Sequence, residues 1–201
     1  MTLKSLKHAG WPALLACAAM AACSKKAAVE DAYVNASVGA GADPLLCSNA
    51  ASTSTFFAVG QTNSSNFPMT VASGENSVTV ECKVSPSSGG YDIALNARLP
   101  GSSGGAFTLT GHVDATGGTN LNGFFSSVSD QYSATDCTVT YTYNRLPIHP
   151  DQTVSAGQIF GHVDCPTAVT TGSTQVTLPD GGTSPETCDA YADFLFQNCS
   201  E

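Results

Sequence analysis

The sequence predicts an all-β fold, an antiparallel β-sandwich or small barrel stapled by disulfides. Three observations lead there. Apolar and polar residues alternate with period two in several segments, Gly/Ser/Pro clusters separate those segments, and the cysteines beyond residue 23 form an even set. Ser77–Val84 alternates strictly: Val78, Val80, Cys82 and Val84 face one way, and Ser77, Thr79, Glu81 and Lys83 the other. Successive strand side chains point to opposite faces, so this run buries one face and solvates the other. Pro86–Gly90 reads as a turn. Tyr91–Leu99 follows with Tyr91, Ile93, Leu95 and Leu99 on one face, and Pro100–Gly105 forms the next turn. Ala106–Asp114 places Phe107, Leu109 and Val113 inward. Three such strands joined by tight turns make an antiparallel meander.

The second half continues in kind. Strands are expected at Leu121–Ser127, at Cys137–Tyr143, within Val154–Cys165 and at Gln175–Leu178. Ile148–Asp151 and Pro179–Gly182 read as turns. In Asp189–Cys199, Ala190, Ala192, Phe194 and Phe196 alternate, which favours a strand over the helix stripe of Tyr191, Phe194, Leu195 and Asn198. Regularly spaced short strands indicate a sandwich or small barrel.

The chain opens differently. Lys4 and Lys7 precede an apolar run, Trp11–Ala22, of about a dozen residues, short of the roughly 20 that a spanning helix needs. Met20-Ala21-Ala22-Cys23 then meets the polar Ser24-Lys25-Lys26. This resembles the lipobox of bacterial lipoproteins, with Met where the family usually has Leu. The resemblance implies a signal peptide over 1–22 and lipidation of Cys23 as the mature N-terminus. It also implies a membrane partner through the lipid anchor and, because Ser24 is not Asp, sorting to the outer membrane of the cell envelope. Leu14-Leu15-Ala16-Cys17 is a second candidate, but it leaves a very short apolar run before it.

Cysteine parity favours Cys23. Cleavage there leaves Cys47, Cys82, Cys137, Cys165, Cys188 and Cys199, an even set for three disulfides, as an oxidising compartment allows. Six cysteines admit 15 pairings. The sequence does not choose among them, and Cys188–Cys199 is the local candidate. Residues 24–46 are Ala- and Gly-rich with few large apolar residues, so 23–46 reads as a flexible tether. That stretch admits a short helix over Ala27–Val34. A single all-β domain is expected over 47–201.

Charge excludes one class of partner. The formal net charge is −9, and past Lys26 only Lys83, Arg98 and Arg145 are basic. Nucleic acid needs a positive footprint that this chain lacks.

Two short motifs recur. Arg98-Leu99-Pro100 returns as Arg145-Leu146-Pro147, and Gly111-His112-Val113-Asp114 returns as Gly161-His162-Val163-Asp164. Each His shares a strand face with the Asp two residues on. If the two strands were neighbours, His112, Asp114, His162 and Asp164 could converge as metal ligands. Polar residues on the solvent face of a sheet are the plainer reading, and neither a metal nor a cofactor is expected. No acid–base partner set can be argued for any of the abundant serines, no P-loop or dinucleotide fingerprint is present, and no catalytic residue is assigned.

Gly161-His162-Val163-Asp164-Cys165-Pro166 and the ending Ala192–Cys199 resemble the small, Cys-containing, Gly/Ser/Thr-rich β lipoproteins of myxobacteria and their relatives. That resemblance implies location and fold, and it supplies no catalytic residues. The expected role is that of a non-enzymatic envelope lipoprotein, structural or interacting with an envelope protein partner. The alternative is a small-ligand or glycan-binding module, recognised by a concave patch with an exposed Tyr or Phe such as Tyr132, Phe124 or Phe160.

Overall fold

The computed structural model describes residues 28–40, 45–47, 55–101 and 104–201. Nine long strands form its frame: β1 (Asp31–Gly39), β2 (Thr55–Val59), β3 (Thr79–Ser87), β4 (Gly90–Leu99), β5 (Gly105–Val113), β6 (Gly118–Ser126), β7 (Gln131–Thr140), β8 (Gln158–Thr170) and β9 (Thr187–Gln197). Strands β3 to β9 are an antiparallel meander in chain order; β1 then pairs with β9, and β2 with β1. The sheet curls into a half-barrel around a single main core.

Alternation builds that core. Val80, Cys82 and Val84 point inward from β3, Ile93, Leu95 and Ala97 from β4, and Phe107, Leu109 and Val113 from β5. Phe107 stacks on Phe194 and Phe196 of β9, with ring centroids 5.9 and 6.3 Å apart. These strands lie four places apart in the sheet, so the contact measures the curl. Bulges in β7 between Ala134 and Cys137, and in β8 between Cys165 and Ala168, shift the inward phase while keeping Tyr132 and Val139, and Val163 and Ala168, buried.

The three disulfides are Cys47–Cys188, Cys82–Cys199 and Cys137–Cys165. The Cys188–Cys199 expectation is therefore wrong. Cys188 lies near the start of β9 and Cys199 just beyond its end, so the extended strand holds them roughly 35 Å apart. Gly123 of β6 makes room for Cys137–Cys165: a Cβ there would lie 2.6 Å from one sulfur and 3.0 Å from the other. Cys82–Cys199 pins the C-terminus along β3, where Val84 N–H donates to Ser200 O at 2.9 Å and Ser200 N–H to Cys82 O at 3.0 Å.

The expected tether needs a second correction. Asp31–Gly39 is strand β1, lodged between β2 and β9, and neither tether nor helix. Its small side chains still alternate: Ala32, Val34, Ala36 and Val38 are buried in the main core, while Asn35 and Ser37 face outward. The expected signal peptide over 1–22, with Cys17, and the expected lipidation site Cys23 lie outside the described residues.

Candidate functional site

The face of the sheet opposite the main core is not uniform. Register pairs Tyr33 with Leu195 and Leu195 with Phe160 across β1, β9 and β8. These three form a small second cluster. The next row along the strands is Asn35, Asp193, His162 and Thr140, and the row beyond it Ser37, Tyr191, Asp164 and Thr138. An apolar patch thus gives way to a polar one within a single step of period two.

A hairpin covers the apolar patch and walls the polar one. Thr142–Tyr143 pairs with Leu146–Pro147 through the two-residue turn Asn144-Arg145, with φ of 49° and 64°. Positive φ at both central residues is the type I′ geometry that matches strand twist. Tyr143 anchors the hairpin, its ring 5.4 Å from Phe160 and 6.2 Å from Tyr33. Burial first, then the hydrogen bond to Tyr143, push the Tyr33 hydroxyl far above the usual tyrosine value.

Beside the hairpin opens a cleft of about 380 Å³. Its floor carries His162 and Asp164 from β8, Asp189, Tyr191 and Asp193 from β9, and Asn35 and Ser37 from β1. Asn144 and Arg145 supply a wall from the hairpin tip. His162 Nδ1 lies 2.8 Å from Asp193 Oδ1. An ionised carboxylate only accepts, so Nδ1 carries the proton and Nε2 remains the ring's other polar atom. Burial, and after it the charge of Asp164, push the Asp189 carboxyl above the ordinary carboxylate value. Asp189 Oδ1 is shielded from solvent and meets no hydrogen-bond donor among the described residues. Tyr191 is 39% exposed.

The four echo residues do not converge. Strands β6 and β7 separate β5, which carries His112, from β8, which carries His162. Each His instead meets an Asp directly across the ladder, His112 with Asp92 at 2.9 Å and His162 with Asp193 at 2.8 Å. Asp114 turns back on its own loop, where its Oδ1 accepts the Thr116 N–H and hydroxyl, each at 2.6 Å. Of the four, only His162 and Asp164 line the cleft.

Among the described residues, one trio of potential metal ligands has its ligand atoms within 4.8 Å of one another: Cys47, Glu186 and Cys188. Both sulfurs are tied in a disulfide and do not coordinate. Glu186 is fully buried and accepts a hydrogen bond from the Tyr132 hydroxyl at 3.0 Å. Gly101–Gly105 spells G-x-S-x-G, but it joins two antiparallel strands, whereas a nucleophile elbow joins a strand to a helix. Ser102 and Ser103 lie outside the described residues.

The aromatic residues expected as a platform are placed otherwise. Tyr132 and Phe160 are buried, and Phe124 is half-buried, whereas Tyr191 is the exposed ring in the cleft. Its neighbours Asp189 and Asp193, two residues away on either side, share its face and were the available sequence signal. No protein-family model, curated protein or solved structure matches the chain.

Proposed function

We propose that this protein is a non-enzymatic lipoprotein of the cell envelope, anchored through Cys23 and sorted to the outer membrane, with a structural or partner-binding role. One observation carries the reading. The six cysteines beyond Cys23 are all joined in pairs, and the two left over, Cys17 and Cys23, both belong to the leader-like N-terminus. Stable disulfides imply export to an oxidising compartment, and a cysteine at the end of an apolar run in an exported chain is where a lipid would be attached. A single acyl chain binds a bilayer weakly, so stable anchoring needs more than one.

The test is metabolic labelling with palmitate in a bacterial host, followed by membrane fractionation. The wild type should be labelled and sediment with membranes, and Cys23→Ala should be unlabelled and leave the membrane fraction. Equal labelling of both chains, or none of either, would contradict the anchor.

A second reading, a small-ligand or glycan-binding module on the envelope surface, is favoured by the cleft around Tyr191. Its floor is laid on three paired strands, which hold side chains more precisely than loops do.

A further inference from the structure

We infer that the cleft between the Asn144-Arg145 hairpin tip and strands β1, β8 and β9 binds a donor-rich saccharide, with an amino sugar preferred, its ring seated on Tyr191. The inference rests on the ligand-binding reading above and is independent of the lipid anchor.

Size and shape come first. At about 380 Å³ the cleft falls at the small end of ligand sites, which run from about 300 to 1,000 Å³. That suits a short saccharide and not an extended peptide. Next comes the lining. Tyr191 offers a half-exposed apolar ring with a polar tip, the combination that covers the C–H face of a pyranose while leaving its hydroxyls free at the edge. Asp189 and Asp193 flank it along β9, and Asp164 lies directly opposite it on β8. Carboxylates accept and do not donate, so the ring is surrounded by acceptors that ask for hydroxyl or ammonium donors.

One acceptor lacks a donor. Asp189 Oδ1 is closed to solvent and unpaired among the described residues, while Asp189 as a whole lines the open cleft. A buried polar atom left unpaired is destabilising, so a ligand donor at this rim, met by a turn of the Asp189 side chain, offsets that loss. Asn35 and Asn144 can both donate and accept, as a hydroxyl-rich ligand requires.

Charge decides the preference. Three carboxylates face one guanidinium, Arg145, in a chain of net charge −9. An anionic uronate is repelled, a neutral sugar is accepted, and a protonated amino sugar gains further.

The experiment is calorimetric titration of the intact protein in detergent, with Cys23→Ala in parallel, against three trimers: glucosamine, N-acetylglucosamine and galacturonic acid. 1,4-Diaminobutane serves as the amine without a sugar. The glucosamine trimer should bind tightest, the N-acetylglucosamine trimer about tenfold more weakly, and the galacturonate trimer undetectably. Tyr191→Ala should weaken the glucosamine trimer about tenfold, and Tyr191→Phe should keep the affinity within about threefold. Asp92→Asn, on the far side of the sheet, should change nothing. Thermal midpoints check folding, and if Tyr191→Ala does not fold, Asp189→Asn takes its place with an expected loss of about fivefold. Absence of binding to all three trimers, tightest binding of galacturonate, or diaminobutane matching the amino sugar would each overturn the inference. Equal binding by the wild type and Cys23→Ala is expected, because the cleft lies on strands β1, β8 and β9 and not at the N-terminus; binding lost in Cys23→Ala would contradict that placement.

Discussion

The two copies of Gly-His-Val-Asp show how one tetrapeptide becomes two different places. Both histidines sit mid-ladder, and both meet an aspartate across the neighbouring strand, Asp92 for His112 and Asp193 for His162. The surroundings differ. The His112 and Asp92 side chains are 45% and 65% exposed, whereas those of His162 and Asp193 are 31% and 17% exposed. What separates them is the Thr142–Pro147 hairpin, which folds over β8 and β9 and has no counterpart against β4 and β5 among the described residues. A paired His and Asp on an open sheet is an ordinary solvated face; the same pair beside a wall becomes part of a cleft. The chemistry was local, and the site was made by what packed over it.

Several changes would break or sharpen that contrast. The largest effect is expected from the disulfides beneath the two regions. Replacing Cys82 and Cys199 together by alanine should cost about 2–5 kcal/mol in urea denaturation. Their separation of 117 residues, against 28 for Cys137–Cys165, should make that loss about 1 kcal/mol the greater of the two in the loop-entropy picture. A larger loss at Cys137–Cys165 would show that packing around Gly123 outweighs loop closure. Next, Tyr132→Phe should cost about 1–3 kcal/mol, because it removes a donor from fully buried Glu186.

His162→Ala should destabilise by about 1 kcal/mol, since Asp193 is mostly enclosed, while His112→Ala stays within about 0.5 kcal/mol. Equal losses would erase the contrast between the two pairs. Arg145→Gly should raise stability by about 0.5–1 kcal/mol, because a side chain at φ 64° is strained where glycine is not. The smallest effects are in pH dependence, and they have opposite signs. The hydrogen bond from His112 holds Asp92 below its unfolded value, so its contribution is present above the unfolded pKa and lost as pH falls through the folded one. Burial raises Asp189, so the stability of its neutral form is present below the unfolded pKa and lost as pH rises through the folded one. Urea midpoints across acid pH should therefore show Asp92→Asn lowering the stability advantage of neutral over acid pH, and Asp189→Asn enlarging it.

The strands of the meander were legible because β3, β4, β5 and β9 alternate with large residues, Val, Ile, Leu and Phe, on the buried face. Strand β1 alternates just as strictly, but its inward residues are Ala and Val in an Ala/Gly-rich stretch, so composition masked the period. Pairing of cysteines was not legible: Cys47–Cys188 and Cys82–Cys199 span more than half the chain, and the first needs β1 paired beside β9 while the second needs the curl that brings β3 to the end of β9. The cleft was half visible. His162 and Asp164 stood out through their repeat, while Asp193 and Tyr191 gained meaning only from register with β8 and from the hairpin above.

The central claim is that every cysteine beyond the leader is paired and that Cys23 carries lipid. Intact mass of the protein from membranes of its native host, without reductant and then after reduction and alkylation, tests it most directly. The account expects a diacylated or triacylated chain beginning at Cys23, with six thiols that appear only on reduction. A mass matching the unprocessed chain, or thiols already free before reduction, would contradict it.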